Sequence, residues 1–252
     1  MARLSVCIEM IFKPLAIEER IDAVAQSGCP AFEFWRWQDK DLARIGEKKD
    51  QHGLKLAAFG AAGGTLLDPG NHQQYWDTFA KAAEWARKLE CPNLIVTTGN
   101  TLPDVRRAVQ MDALRRGLEG VAKAAKQGGV AAVLEPLNTK VNHPGYFLDH
   151  AAEAFQLIDE IGSPSLRILY DIYHMQIMDG DIIQTIKDNV DRIGHFHVAD
   201  VPGRHEPGTG ELNYANIIQA IDATGFGGFV GLEYHPSADH AESLRHVRSL
   251  AA

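Results

Sequence analysis

Residues 193–214 read IGHFHVADVPGRHEPGTGELNY. The stretch begins as an apolar run and ends in a Pro/Gly-rich loop, and between the two it carries His195, His197, Asp200 and Arg204. In a strand, successive side chains point to opposite faces, so His195 and His197 share one face and Phe196 takes the other. Polar groups of this kind are costly in a plain apolar core, because a buried charge or donor has to be paired. The stretch therefore reads as a strand whose end delivers chemistry into a shared interior.

Other strands end in the same way. AVLEPLN places Glu135 near a strand end, RILYDIYH places Asp171 and His174, and FVGLEYH places Glu233 and His235; earlier runs carry Glu9 and Glu33. The β-rich runs span 4–10, 31–35, 54–59, 93–97, 130–136, 166–171, 193–200 and 229–233. Helical spacing lies between them, as in the stripes Ile17, Ile21, Val24, Gly28 and Leu114, Leu118, Val121, Ala125. SGCP, HG and TGFGG punctuate joins where a helix stops before a strand. Eight strand-helix units in 252 residues, with no linker or low-complexity insert, predict an α/β fold, a closed (β/α)8 TIM barrel forming one domain over 1–252. An open doubly wound sheet has the same local pattern. The count of units and the polar strand ends favour closure.

In such a barrel the site forms where strands end. The third and fourth strands end mostly in Gly, Ala and Thr, so the chemistry is expected on strands five to eight. Glu135, Asp171, His197 and Glu233 fall on four successive strands. Three carboxylates converging there would repel one another and lose solvation, a conflict that one divalent cation resolves. Three oxygens and one imidazole suit Mn2+ or Mg2+, with Co2+ also compatible, and exclude a sulfur-rich zinc site. His195 is expected to support His197 or to lie in the core. His174, three residues after Asp171, could bond a substrate oxygen, and the fork of Arg204 suits a substrate oxygen or a ligand carboxylate. Trp35, Trp37 and Phe12 could wall a sugar-sized pocket, with Asn138 and Lys140 as polar groups that orient its occupant.

Composition narrows the partners. With 25 Lys and Arg against 33 Asp and Glu, the net charge of -8 argues against nucleic acid, which needs clustered cations. No apolar run reaches membrane-spanning length and no charged, apolar leader precedes the first strand, so a soluble, cytoplasmic protein is expected. Cys7, Cys29 and Cys91 match no disulfide or zinc spacing and are expected to be core thiols.

The strings EPLNTKVNHPGYF, YDIYHMQ and ADVPGRHEPGTGELNY, with FEFWRW after the second strand, resemble hydroxypyruvate isomerase and its relatives in the xylose isomerase-like barrel superfamily. The resemblance covers essentially the whole chain. It implies a divalent-metal-dependent isomerase of a small sugar or hydroxy-oxo acid, interconverting aldose and ketose forms by proton transfer through an enediolate. By match to the family's motifs, Glu135 and Glu233 are paired acid/base glutamates that also touch the metal, and Asp171 and His197 complete its coordination. His174 and Arg204 match substrate contacts of the related ketose 3-epimerases. There is one departure: the hydroxypyruvate isomerase pattern carries glutamine at the place of His197, whereas the ketose 3-epimerases carry histidine. A ketose 3-epimerase, a metal-dependent lyase or dehydratase of a keto-sugar or inosose, and a non-catalytic sugar-binding barrel are the alternatives. A homo-dimer or homo-tetramer is a further implication of the resemblance.

Overall fold

The computed structural model describes residues 2–251. The eight runs form β1 (Arg3–Cys7), β2 (Ala31–Arg36), β3 (Lys55–Gly60), β4 (Asn93–Val96), β5 (Ala131–Leu134), β6 (Leu166–Asp171), β7 (Ile193–Val198) and β8 (Phe229–Leu232). Each pairs in parallel with the next, and β8 returns to β1, so the sheet is the expected closed barrel. Around it lie α1 (Ile17–Ser27), α2 (Leu42–Gln51), α3 (His72–Lys88), α4 (Arg107–Gly128), α5 (Ala151–Ile161), α6 (Ile172–Met178), α7 (Ile182–Asn189), α8 (Tyr214–Ala223) and α9 (His240–Leu250).

The helical stripes bury as their spacing requires. Leu114, Leu118, Val121 and Ala125 are all buried against the barrel. Ile21 and Val24 do the same for α1, while Gly28 is the left-handed C-cap rather than part of the stripe, at φ 75°. That conformation favours glycine because it has no Cβ. The passage from β6 to β7 uses two short helices where one was expected; Gly180 and Asp181, both at positive φ, break the chain between them.

The strand period of two sorts the barrel interior into layers. Ala31, Ala57 and Phe229 cluster at one level, and Ala58, Ile95, Val133 and Leu169 at the next, both separate from the larger core between strands and helices. Two residues beyond Val133 comes Glu135, and two beyond Leu169 comes Asp171. In the same way Ala31 is followed inward by Glu33 and Trp35, and Phe229 by Gly231 and Glu233. On β2, β5 and β6 the interior thus changes from apolar to ionisable over one step of the strand, and on β8 over two.

Several strands stop earlier than their sequence run. The Glu135 N–H still reaches Val96 O at 3.0 Å, but Pro136 has no N–H to continue the ladder. β7 and β8 likewise end at Val198 and Leu232, leaving Glu233 just past the last paired residue. Cys7, Cys29 and Cys91 are free and buried, and no helix among the described residues is long and apolar enough to cross a membrane.

Candidate metal centre

Asp171 and His197 are register partners across β6 and β7, and His197 is level with Gly231 on β8. One ligand atom from each of Glu135, Asp171, His197 and Glu233 lies within 4.8 Å of the others. His197 Nδ1 stands 3.6 Å from Glu135 Oε1 and 3.4 Å from Glu233 Oε2. All four side chains are buried. Asp171 also caps α6, its Oδ1 accepting the His174 N–H at 3.2 Å, while Oδ2 is turned toward the cluster, 3.7 Å from the Arg204 guanidinium.

Beneath this group sits a carboxylate to which the sequence assigned no role. Glu33, fully enclosed on β2, accepts hydrogen bonds from Ser5 Oγ at 2.6 Å and from His195 Nε2 at 2.9 Å. Its other oxygen stands 2.7 Å from His197 Nε2. Binding that nitrogen leaves Nδ1 to face the three acids. Gly231 makes the arrangement fit: a Cβ there would lie 2.6 Å from both Glu33 Oε1 and His197 Cδ2.

The charges at the site have identifiable causes. Burial raises the Glu135 carboxyl to about 7, with Glu233 and Asp171 adding to the effect and His197 opposing it. Burial acts the same way on Glu233, but His197 and Arg204 outweigh it and hold that carboxyl well below the usual range. Glu33 is held down to about 2, the two imidazoles overcoming its burial. For His197, burial opposes the charged form, yet Glu233 and Glu33 push its affinity for a proton well above the ordinary value. An imidazolium and the Arg204 guanidinium therefore balance the acids.

The donor set fits a hard divalent ion. His197 Nδ1, on the side away from Glu33, is buried without an aligned hydrogen-bond partner, a costly state that a cation there would relieve. Glu135, Asp171 and Glu233 supply oxygens, and His197 supplies the one nitrogen.

A cavity of about 300 Å3 opens over the cluster. Glu135, Glu233, His197, His174, His143 and Arg204 form one side, and Gly60, Ala62, Ile95 and Leu137 form an apolar wall. Trp35 closes the mouth while 44% exposed, and its Nε1 donates to Glu233 Oε1 at 2.6 Å. Arg204 donates to Glu233 Oε2. His174 is completely buried, and burial lowers its pKa to about 4. His143, half-buried and set edge-on against His174 with ring centroids 5.3 Å apart, also lines the cavity. Its sequence neighbourhood, a polar loop, marks it only weakly.

Other polar and aromatic candidates lie elsewhere. Asn138 is buried behind His174 and does not line the cavity. Lys140 is exposed and donates to Ile177 O at 2.8 Å. Trp37 donates to Ala61 O, and the Phe12 N–H meets His240 Nδ1. Glu9 pairs with Lys40 at 2.6 Å, and Asp200 gathers the Val201, Gly208 and Leu212 amides of its own loop. His235 is exposed.

A family model, the xylose isomerase-like TIM barrel, matches residues 21–250. The chain belongs to that family. Within the xylose isomerase-like barrels it is 34% identical to hydroxypyruvate isomerase of Escherichia coli, over 97% of this chain and 98% of that one. It is 32% identical to 2-oxo-tetronate isomerase of Cupriavidus necator, over 97% and 96%. A solved structure described as AP endonuclease, family 2, from Brucella melitensis matches with a TM-score of 0.94 at 30% identity, covering 99% of each chain. The chain is accordingly an isomerase of the hydroxypyruvate isomerase family. For a xylose isomerase-like barrel of this branch, the buried His/Glu/Asp cluster is the candidate metal site.

Proposed function

We propose that this isomerase moves the carbonyl between adjacent carbons of a small hydroxy-oxo acid, of the hydroxypyruvate or 2-oxo-tetronate kind, with Glu135 and Glu233 transferring the proton. The observation that carries the reading is that two glutamates come within 3.6 and 3.4 Å of the same atom, His197 Nδ1, in the wall of one cavity. Two carboxyls this close to one point can divide the work, one taking a proton while the other gives one. Glu233, kept ionised by His197 and Arg204, is the carboxylate that takes the proton, and Glu135, the other glutamate beside His197 Nδ1, hands one back.

Glu135, Asp171, His197 through Nδ1, and Glu233 would hold the divalent ion, Mn2+ or Mg2+ with Co2+ compatible. When bound, it supplies Lewis-acid polarisation of substrate oxygens, worth several kcal/mol. His174 and Arg204 bind substrate oxygens, and Trp35 with the apolar wall keeps water from the carbon being deprotonated. Glu33 orients His197 by taking its Nε2 side.

Incubation with hydroxypyruvate, a 2-oxo-tetronate and small ketoses in D2O with Mg2+, followed by NMR, tests the activity. The expected product is the carbonyl-shifted isomer carrying solvent deuterium at the carbon that received the proton. Loss of water from the substrate would mean a lyase, and absence of exchange into every compound would overturn the reading.

One observation favours a second reading, a ketose 3-epimerase. Arg204, the guanidinium in the cavity wall, is already engaged by Glu233 and stands 3.7 Å from Asp171, which favours an uncharged sugar over a substrate carboxylate. Deuterium at an inverted carbon without movement of the carbonyl would identify it.

Ion binding should depend on pH in a definite direction. Glu135, with its pKa raised to about 7, holds a proton below that value, so the ion competes with it and affinity falls as pH drops. Above about 7 that competition fades, and a gentler rise continues because His197 must still release its Nδ1 proton. Mg2+ or Mn2+ titration calorimetry across this range should show the rise; a flat profile would contradict it. In the same titration Glu33→Gln is expected to weaken binding about 10- to 100-fold, the usual loss when a histidine ligand is deprived of its carboxylate partner.

A further inference from the structure

Asn138 has its amide orientation dictated by its own loop. Its Oδ1 accepts the backbone N–H groups of Val141 and Asn142, each at 3.0 Å. An amide nitrogen cannot accept, so the oxygen must take that side and Nδ2 must face the other way. There Nδ2 donates to His174 Nδ1 at 2.6 Å and to Asn142 Oδ1 at 3.0 Å. The backbone N–H of Asn138 reaches the same His174 nitrogen at 3.3 Å. With two donors directed at it, Nδ1 must present its lone pair.

We propose that Asn138 locks the His174 ring in the tautomer carrying its proton on Nε2, making His174 a fixed, neutral hydrogen-bond donor to a substrate oxygen and never the base. The substrate half of this inference rests on the isomerase reading; the tautomer stands on the hydrogen bonds alone. His174 Nε2 is buried and lacks an aligned partner, with Asp171 Oδ2 nearest at 3.4 Å. A buried donor left unpaired costs free energy, and the ring belongs to the cavity wall, where a ligand oxygen can satisfy it. As negative charge grows on that oxygen, the N–H···O hydrogen bond strengthens without transfer of the proton. Asn138 touches no substrate in this arrangement; it is a positioning residue acting through His174.

The test is the ring itself. In protein carrying 15N-labelled histidine and loaded with Mg2+, the His174 signals are assigned by their loss in His174→Gln. The expected pattern is a protonated Nε2 and a bare Nδ1. A ring protonated at Nδ1, or at both nitrogens, overturns the proposal. Asn138→Asp keeps an oxygen for the two loop amides but puts a carboxylate oxygen where the donor was, which should draw a proton onto Nδ1. Its kcat is expected to fall on the order of 100-fold, as when one stabilising donor is removed, with KM and Mg2+ affinity little changed. An unchanged ring spectrum in Asn138→Asp, or a loss confined to KM, also overturns it. Should that variant fail to fold, the spectrum of the native protein still decides. Absence of turnover by the native protein would strike the functional reading and leave the ring spectrum as it was.

Discussion

Glu135→Gln and Glu233→Gln are each expected to lower kcat on the order of 1,000-fold, within the range spanned by loss of a positioned acid or base. Glutamine preserves shape and one oxygen but cannot carry a proton between carbons. KM should move far less than kcat, because the missing event belongs to the transition state. The barrel should survive, since the Glu135 N–H bond to Val96 O and the Glu233 N–H bond to Val198 O belong to the backbone. The two variants should differ in stability. Glu135→Gln removes a carboxyl that burial already pushes toward its neutral form. Glu233→Gln takes an ionised partner from Arg204 and His197, and breaking a buried pair costs about 3–5 kcal/mol where nothing replaces the lost charge. Urea unfolding should therefore rank Glu233→Gln below Glu135→Gln. Near-native kcat in either variant would remove the proposed proton-transfer pair.

Removal of divalent ions is the second large effect. Exhaustive chelation should abolish turnover, and Mn2+ or Mg2+ should restore it. The loss should also be visible without substrate. An ion that binds only the folded chain adds about 2.7 kcal/mol at 100 times its dissociation constant. At about 2–4 °C per kcal/mol for a domain of this size, that is a rise in Tm of about 5–10 °C. A scanning calorimetry trace that is the same with chelator and with Mg2+ would argue that Glu135, Asp171, His197 and Glu233 hold no ion. Turnover that persists after chelation would remove the Lewis-acid contribution.

Much of the frame is legible in the sequence. Strand alternation alone puts Glu135 in phase with Val133 and Asp171 in phase with Leu169, and the count of strand-helix units leads to a closed ring. Strand ends were less so: Pro136 ends the β5 ladder through a missing N–H, and the acids lie at or just beyond the last paired residues. The double helix after β6 escaped because seven- and eight-residue helices leave too short a periodic trace. Glu33 escaped for a different reason. Its place in AFEFWR shows that it points inward, but not that it meets His195 and His197, which lie on a strand to which β2 is not hydrogen-bonded. That contact depends on the diameter of the ring and on the absence of a side chain at Gly231, neither of which a local pattern reveals. Asn138 is the converse case: a polar residue in a loop near the site looked like a substrate contact, and its amide is instead consumed by its own loop and by His174.

The meeting of Glu33 with His197 has a consequence for how the molecule is assembled. During synthesis β2, β5 and β6 leave the ribosome before β7, and β8 comes last, so the imidazole finds Glu33, Glu135 and Asp171 already made and waits only for Glu233. A nascent chain that stops short of Glu233 lacks the last oxygen donor, and a fragment beginning at β5 has every donor but nothing to turn the ring. The proposed ion site is therefore complete only when β8 has closed the ring against β1 with Glu33 already under His197.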